Sequence, residues 1–225
     1  IGKNSMLLNP ELGSWTVIGS VVTDRHIVVE SQDHSDGCGD CRRCQVECPT
    51  GALDEEGVLD ANKCLAWLVQ AQGIFPVEFR VVLGDRLYGC DDCQTVCPVN
   101  YGKERVRIQA SNRSRTVELV KLLESTDDAL MKKYEHWYIP RRRAEYLRRN
   151  ALVVLANVAD GADSAVESVV FGALKSDSAM VRAHAVWAAR QLGLSRLFLQ
   201  IGYESLTTDD PKGWVSNELK MMESA

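Results

Sequence analysis

The eight cysteines are the residues of this chain whose spacing predicts a specific chemistry. They form two runs and one isolated member: Cys38, Cys41, Cys44 and Cys48; Cys90, Cys93 and Cys97; and Cys64. Each run ends in a cysteine followed by proline, as in the bacterial ferredoxin pattern, in which that last cysteine ligates the other of two clusters. Short spacers let thiolates converge on one cube of iron and sulfide. The eight cysteines therefore predict two 4Fe-4S clusters.

The crossing of the last cysteine in each run divides the thiols into two sets of four. The first cluster is predicted to have the ligands Cys38, Cys41, Cys44 and Cys97. The second is predicted to have Cys48, Cys64, Cys90 and Cys93, where Cys64 replaces the first cysteine missing from the second run. Small residues after the first run, Thr50-Gly51-Ala52-Leu53, predict a turn that wraps the cluster and points backbone amides at its sulfide, the alternative being an ordinary turn.

Two other uses of cysteine compete with clusters. Disulfides suit secreted proteins, but the N-terminus lacks the basic and apolar regions of a signal peptide. Zinc is the stronger alternative, although one site with four thiolates leaves the other thiols unexplained. A zinc-stabilised nucleic-acid adaptor therefore stays an alternative function.

Two clusters without a nucleotide-binding fingerprint predict an electron relay. The sequence shows no Gly-rich dinucleotide loop, no Walker loop and no nucleophile elbow. The electrons must then pass to a partner protein or to a further cofactor. A ferredoxin-type electron carrier is accordingly one of the functions that the cysteines predict.

Charge is distributed unevenly along this chain of 225 residues, whose formal net charge is -5. Counted from the sequence, residues 1–102 carry a net charge of -8, residues 103–149 carry +6, and residues 150–225 carry -3. Binding of a polyanion depends on the local field rather than on the total. The basic segment 103–149 could therefore attract a polyanion although the whole chain is acidic.

The basic segment contains three consecutive arginines, Arg141 to Arg143, shortly after Trp137 and Tyr138. Guanidinium groups beside aromatic rings predict a site for nucleic-acid phosphates and stacked bases. The alternative is a solvated helix face screened by neighbouring glutamates, with the aromatic residues in the core.

The remaining composition is that of a globular protein, with 45% hydrophobic and 25% charged residues. No apolar stretch approaches the ~18 residues of a spanning helix. We expect a cytoplasmic monomer without a membrane partner. Because the chain starts at Ile1 rather than Met, we also expect that it begins inside a longer protein.

Two elements are predicted around the cysteines. A β-branched run, Trp15 to Thr23, predicts a buried strand whose sheet lies upstream. Asp60 is predicted to cap a helix that contains Leu65 and Leu68 and ends near Gly73.

The last third of the chain predicts helices. Apolar residues recur with helical spacing in three sets: Leu147, Ala151, Val154, Leu155 and Val158; Val166, Val169, Val170, Ala173 and Leu174; and Val181, Ala185, Ala188 and Leu192. Asp163 and Ser178 are predicted N-caps. The similar segments 148–152 and 182–186 lie 34 residues apart, which predicts an α-solenoid with few repeats. His184 is predicted to be exposed or capped rather than a ligand.

Several motifs together resemble the epoxyqueuosine reductase family. They are Ile1-Gly2-Lys3-Asn4, Asn9-Pro10-Glu11-x-Gly13-Ser14-Trp15, the two cysteine runs, Tyr88 to Gln94, and Arg148-Arg149-Asn150-Ala151-Leu152 before a HEAT-like helix. The resemblance spans most of the chain and keeps the order of the family's motifs.

The resemblance implies an iron-sulfur and cobalamin-dependent oxidoreductase that reduces epoxyqueuosine to queuosine in the wobble position of tRNA, with an unknown electron donor. It implies that Asp92 contacts cobalamin and that Arg148 and Arg149 join Arg141 to Arg143 in binding the anticodon arm. The family's catalytic carboxylate lies upstream of residue 1, so no catalytic residue is assigned and this chain alone is expected to be inactive. A corrinoid reductase with another substrate is the alternative.

The resemblance also implies an α+β fold in four parts. Residues 1–30 end a cobalamin-binding domain, and residues 31–102 form a ferredoxin-like domain with two 4Fe-4S clusters. Residues 103–143 form a basic helical connector, and residues 144–225 form HEAT-like repeats.

Overall fold

The computed structural model describes residues 1–28, 37–103 and 116–221, and over these residues every regular element is helical. The α-helices are α1 (Arg43–Val46), α2 (Leu65–Leu68), α3 (Asp92–Thr95), α4 (Leu119–Glu124), α5 (Asp127–Lys133), α6 (Glu145–Val158), α7 (Ser164–Leu174), α8 (Ala179–Gln191), α9 (Arg196–Ile201), α10 (Tyr203–Thr207) and α11 (Trp214–Lys220). Short 3-10 turns occur at Val77–Phe79, Pro98–Asn100 and Pro140–Arg142. Within these ranges, no helix is long and apolar enough to cross a membrane.

The chain divides into two compact units, which interleave in sequence. The first contains Ile1–Cys64 and Asp91–Arg113, and the second contains Leu65–Cys90 and Ser114–Ala225. Residues 65–90, which the predicted division assigns to the ferredoxin-like domain, thus pack with the helical part of the chain. Residues 29–36 and the part of the predicted basic connector at 104–115 lie outside the described residues.

The first unit consists mainly of turns, and buried polar side chains bond its backbone. Asn100 is 0% exposed. Its Oδ1 accepts from the Ser14 amide at 2.7 Å, and its Nδ2 donates to the Gln94 carbonyl at 2.7 Å. Gly13 lies so close to the Asn100 side chain that a Cβ added to Gly13 would lie 2.2 Å from Asn100 Oδ1. Such side-chain bonds replace the ladder that a sheet would provide.

The second unit is built around α8, whose residues from Met180 to Ala189 are all buried. A helix buried on every side belongs in the centre of a core. Helices α6, α7 and α11 pack against it. The predicted apolar sets face this core, although Val158, at the end of α6, is 55% exposed.

The helix starts agree with most of the sequence predictions. Helices α6 and α8 begin at Glu145 and Ala179, which are 34 residues apart as the similar segments predict. Asp163 caps α7, because its side chain accepts from the Ala165 amide at 2.8 Å. Ser178 precedes α8 but makes no capping bond, since its hydroxyl donates to Glu145 Oε2 at 2.6 Å instead.

The predicted strand at residues 15–23 is wrong. This stretch has no regular secondary structure, and Val17, Val21 and Val22 are at least 91% exposed. A strand needs a neighbour for its backbone donors and acceptors, and the isolated β-bridge within the described residues, between Asn9 and Gly13, does not involve this segment. The described residues therefore form a helical fold rather than an α+β fold.

The helix predicted from Asp60 to about Gly73 is also shorter than expected. Asp60 Oδ1 accepts from the Asn62 amide at 3.0 Å, which closes a local turn. The regular helix spans only Leu65–Leu68. The chain then turns at Gly73, whose φ of 88° suits glycine.

Candidate metal centres and basic surface

The four cysteines predicted to hold the first cluster line one cavity in the first unit. Two of them, Cys38 and Cys41, lie in the turn before α1, where the Cys41 amide donates to the Cys38 carbonyl at 2.9 Å. Cys44 lies within α1, and Cys97 follows α3. The full lining is Lys3, Asn4, Leu8, Gly37, Cys38, Cys41, Arg43, Cys44, Cys97, Pro98 and Val99.

The surroundings of this cavity suit anionic sulfur that is bound to a cation. The Lys3 amide donates to Cys38 Sγ at 3.5 Å. Burial raises the pKa of the Cys44 thiol, so its thiolate is disfavoured until a positive charge lies beside it. Iron ions of a bound cluster provide that charge.

A zinc site and an iron-sulfur cube make different demands on the arrangement of thiolates. A zinc ion needs its sulfur ligands at about 2.3 Å from one centre. Among the residues that the structure describes, no three His, Cys, Asp or Glu side chains are grouped to hold one metal ion. A cube, in contrast, presents a different iron to each of its thiolates.

The cysteines predicted to bind the second cluster come from both cysteine runs and from the isolated Cys64. Cys48 Sγ accepts from the Ala52 amide at 3.2 Å, so one amide of the segment after the first run points at a cysteine sulfur. Thr50 Oγ1 donates to the Lys63 carbonyl at 2.6 Å, which ties this turn to the residue before Cys64. Cys93 lies within α3. Cys90 is the last residue of the segment 65–90 and packs against the core of the second unit.

Asp92, the residue implied to contact cobalamin, begins α3 and is partly exposed. A carboxylate at this position offers an acceptor for the amide groups on the rim of a corrin. Asp92 also takes part in an interaction within the described part of the chain.

Of the three consecutive arginines, Arg141 and Arg142 lie in the 3-10 turn Pro140–Arg142 and Arg143 follows it. Arg141 and Arg142 have φ values of 51° and 53°, a region that residues other than glycine seldom adopt. Arg142 donates to the backbone carbonyls of Met131, Trp137 and Tyr134 at 2.6, 3.1 and 3.4 Å. Arg143 pairs with Glu145 at 2.8 Å. Arg141 is exposed and bonds to no described residue, which leaves its guanidinium for a ligand.

Arg148 and Arg149 have different environments, although they are adjacent. Arg148 pairs with Asp127 at 2.5 Å and is partly exposed. Arg149 is 0% exposed, and its guanidinium donates to four backbone carbonyls: Leu68, Val69, Ala71 and Gly73. Desolvation lowers the pKa of Arg149 to about 10, which still keeps it charged at neutral pH. The implied tRNA contact of Arg149 is therefore wrong, because no ligand can reach it.

The aromatic residues before the arginines divide between core and surface. Trp137 stacks on Tyr88 with ring centroids 4.2 Å apart and contacts Tyr134 at 4.4 Å. Tyr138 is 64% exposed, and its carbonyl accepts from Tyr88 Oη at 3.0 Å. Desolvation raises the pKa of Tyr88. Only Tyr138 keeps a ring surface that a base could stack on.

The prediction that His184 is exposed or capped needs correction. Its side chain is 0% exposed, with Nε2 accepting from the Phe75 amide at 3.1 Å and Nδ1 located 2.8 Å from the Met180 carbonyl. The surrounding helices cover this face of α8. The helical spacing of apolar residues could not predict the burial of His184, because it does not show which further faces of a helix are covered by neighbouring elements.

Two residues that the sequence patterns missed lie beside the arginines. A cavity of about 480 Å³ is lined by Arg141, Arg143, Lys212 and Trp214, together with the start of α8. Lys212 Nζ lies 4.6 Å from the centre of the Trp214 ring. Lys212 is one of few basic residues in an acidic part of the chain, so local composition could not reveal it.

Comparison with known proteins first defines the class of the cysteine-bearing region. Residues 37–100 match the family model of the 4Fe-4S double cluster binding domain. The region is therefore a 4Fe-4S cluster domain, in agreement with the prediction from cysteine spacing.

The whole chain has more specific relatives. It is 35% identical over 195 residues to epoxyqueuosine reductase of Staphylococcus aureus, and 34% identical over 198 residues to that of Bacillus subtilis. Each alignment covers 85% of this chain and 50% of the relative. An uncharacterized protein of Geobacillus stearothermophilus is 32% identical over 95% of this chain and 100% of its own length.

Solved structures agree with these relatives. A crystal structure of epoxyqueuosine reductase with an epoxyqueuosine-modified tRNA-Tyr stem loop matches 99% of this chain and 59% of its own, with a TM-score of 0.78 and 28% identity. The enzyme of Streptococcus thermophilus gives a TM-score of 0.76 and 26% identity. The chain belongs to the epoxyqueuosine reductase family by shared sequence and fold, and it spans about half the length of the curated epoxyqueuosine reductases that it matches.

Proposed function

We propose that this chain is the cluster-bearing and helical part of an enzyme that reduces epoxyqueuosine to queuosine in the wobble position of tRNA. One observation carries the proposal: a single alignment to epoxyqueuosine reductases covers 85% of the chain, so it includes residues from both the cysteine region and the helical unit. A generic electron carrier needs only the cysteine region.

The electron-transfer part of the proposal rests on the thiols. Cys38, Cys41, Cys44 and Cys97 would hold one 4Fe-4S cluster, and Cys48, Cys64, Cys90 and Cys93 would hold the other. Each cluster would supply one electron at a time when bound. The chain contributes the ligands, the amides that donate to Cys38 and Cys48, and the apolar packing around Cys90.

The cobalamin part of the proposal involves residues from both chain segments of the first unit. We assign residues 1–30 to the end of a cobalamin-binding domain and Asp92 to a hydrogen bond with the cofactor. The exposed apolar residues between Val17 and Val28 support this assignment, because they would be covered in the presence of a further domain. No catalytic carboxylate is assigned within this chain.

The tRNA part of the proposal rests on the second unit. Arg141, Arg143 and Arg148 would contact phosphates of the anticodon arm, and Tyr138 would stack on a base. Arg142 would contribute mainly by holding the turn, since its guanidinium bonds three carbonyls. We describe residues 103–143 as a basic connector and residues 144–225 as HEAT-like repeats, and we expect a cytoplasmic monomer.

The proposal is tested by an anaerobic assay of the full-length natural protein. The assay contains cobalamin, a strong chemical reductant and tRNA that carries epoxyqueuosine, and nucleosides are identified by mass spectrometry. Queuosine is the expected product. Bound clusters and cobalamin without any change of the nucleoside would contradict the proposed substrate and favour a corrinoid reductase with another target.

A further inference from the structure

The segment between Cys64 and Cys90 is held mainly by side chains from other elements. Its own regular structure is limited to α2 and the turn Val77–Phe79. Asn157 of α6 donates to the carbonyls of Arg80 and Gly84 at 2.8 and 3.1 Å. Arg149 of α6 and His184 of α8 bond the backbone between Leu68 and Phe75.

Asn150 is the residue that joins the two ends of this segment. Its Nδ2 donates to the Val69 carbonyl at 2.9 Å and to the Leu87 carbonyl at 3.1 Å. Its Oδ1 accepts from Arg149 Nε at 3.0 Å, which fixes the orientation of the amide. The side chain is 1% exposed, so water does not compete for these bonds.

The two carbonyls lie close in sequence to two of the cysteines. Val69 comes five residues after Cys64, and Leu87 comes three residues before Cys90. The bridge through one amide therefore limits how far the chain ends that lead to these cysteines can separate. Asn157, by contrast, bonds two carbonyls in the middle of the segment.

We infer that Asn150 is a positioning residue for the second 4Fe-4S cluster, acting through the backbone on Cys64 and Cys90. The inference rests on the proposed function, because it uses the ligand set proposed there. Groups that orient the ligands of a metal centre tune its potential and its retention. Without the bridge, the ends of the segment can separate and the cluster is held by less well-placed thiolates.

The test compares Asn150→Leu with Asn157→Leu in the full-length protein purified anaerobically with its clusters. Leucine is similar in size to asparagine but donates no hydrogen bond, so each variant loses two bonds to carbonyls of the same segment. The measurements are iron per chain, the EPR spectrum of the reduced protein, the midpoint potential of each cluster and the melting temperature.

Asn150→Leu is expected to lose at least half of the EPR signal of the second cluster, or to shift its potential, while the signal of the first cluster stays unchanged. Asn157→Leu is expected to lower the melting temperature but to retain both signals. If Asn150→Leu yields no folded protein, Asn150→Ser, which retains one donor, replaces it in the same comparison. Equal behaviour of the position-150 and position-157 variants overturns the inference.

Cysteine variants separate failure of this inference from failure of the ligand set. Cys64→Ser and Cys90→Ser must each remove the same EPR signal. If they remove different signals, the proposed ligand set is wrong and the inference fails with it. If they remove the same signal but Asn150→Leu behaves as Asn157→Leu, only the role of Asn150 is overturned.

Discussion

Cys93 and Cys97 are separated by only three residues, yet the crossing pattern assigns them to different clusters. Cys97, by contrast, shares a cavity with Cys38, Cys41 and Cys44 from the other end of the domain. Replacing Cys93 and replacing Cys97 should therefore affect different clusters, although the two cysteines are close in sequence.

Cys44→Ser and Cys97→Ser should each remove the same EPR signal from the reduced protein, whereas Cys93→Ser should remove the other. Each variant should also lose about half of its iron, because one of two clusters is lost. EPR and iron analysis of anaerobically purified variants check this. Loss of the same signal in Cys93→Ser and Cys97→Ser would contradict the crossing assignment.

His184 makes the stability of the second unit depend on pH. Because Nε2 accepts from the Phe75 amide, the ring is neutral and its proton lies on Nδ1, which donates to the Met180 carbonyl. Burial and the nearby charges of Arg80 and Arg149 lower the pKa of His184 well below 6.5. In the unfolded chain the ring binds a proton below about pH 6.5.

The unfolded state therefore binds more protons than the folded state in mild acid, so the free energy of unfolding falls as the pH decreases below about 6.5. The slope contributed by one group approaches about 1.4 kcal/mol per pH unit. Urea unfolding followed by circular dichroism at several pH values should show a smaller slope in His184→Gln than in the wild type.

His136→Gln is the control at an exposed histidine, so a difference between the two variants isolates the contribution of the buried ring. Any effect of acid on the clusters is common to the wild type, His184→Gln and His136→Gln. It therefore cancels when the slopes of the free energy of unfolding against pH are compared. Equal slopes in the wild type and His184→Gln would show that the buried ring does not cause the pH dependence.

At the scale of elements, the turn between α6 and α7 packs tightly against the end of α8. A Cβ added to Gly161 would lie 2.0 Å from the Leu192 carbonyl oxygen, closer than any real contact allows. Backbone would have to move to accept it. The turn thus requires glycine for reasons of space.

Gly161→Ala should lower the free energy of unfolding by about 1–3 kcal/mol. Gly172→Ala is the control, because Gly172 lies within α7 and an added Cβ meets nothing within 4 Å. Alanine there should stabilise the helix by up to about 1 kcal/mol. Urea unfolding of both variants checks the difference, and similar stabilities would contradict the proposed close packing at Gly161.

At the scale of the whole molecule, the basic surface must act within a chain of net charge -5. The local excess of positive charge, rather than the total, would attract a polyanion. Binding of tRNA by the full-length protein should therefore weaken steeply as salt increases, since each phosphate that the protein neutralises releases counterions.

Arg141→Gln combined with Arg143→Gln should weaken tRNA binding and reduce the slope of log affinity against log salt by about 0.7 for each phosphate that the variant no longer neutralises. Arg196→Gln is the control, because Arg196 is exposed but pairs with Glu167 away from this cavity. Filter binding or fluorescence anisotropy at several salt concentrations gives both slopes. Affinity that does not depend on salt would contradict a tRNA site on this surface.

Local patterns were sufficient for several features of this protein. Cysteine spacing predicts the cluster type because short spacers let successive thiolates converge on one cube, and a last cysteine before proline marks a ligand of the other cluster. Helical spacing predicts α6 to α8 because apolar residues must recur once per turn to reach one core. Asp163 could be identified as a cap because its bond reaches only two residues along the chain.

Other features were decided only by tertiary structure. Arg148 and Arg149 look alike in sequence, but successive helical residues point about 100° apart, so one side chain faces outward and the other is buried among backbone carbonyls. The segment 15–23 has the composition of a strand, yet it forms no regular secondary structure in this structure. The environments of His184 and Asn150 depend on contacts with residues more than 60 positions away. Sequence alone determined which groups are present and how they repeat, whereas burial and long-range hydrogen bonds decided which of them can meet a ligand.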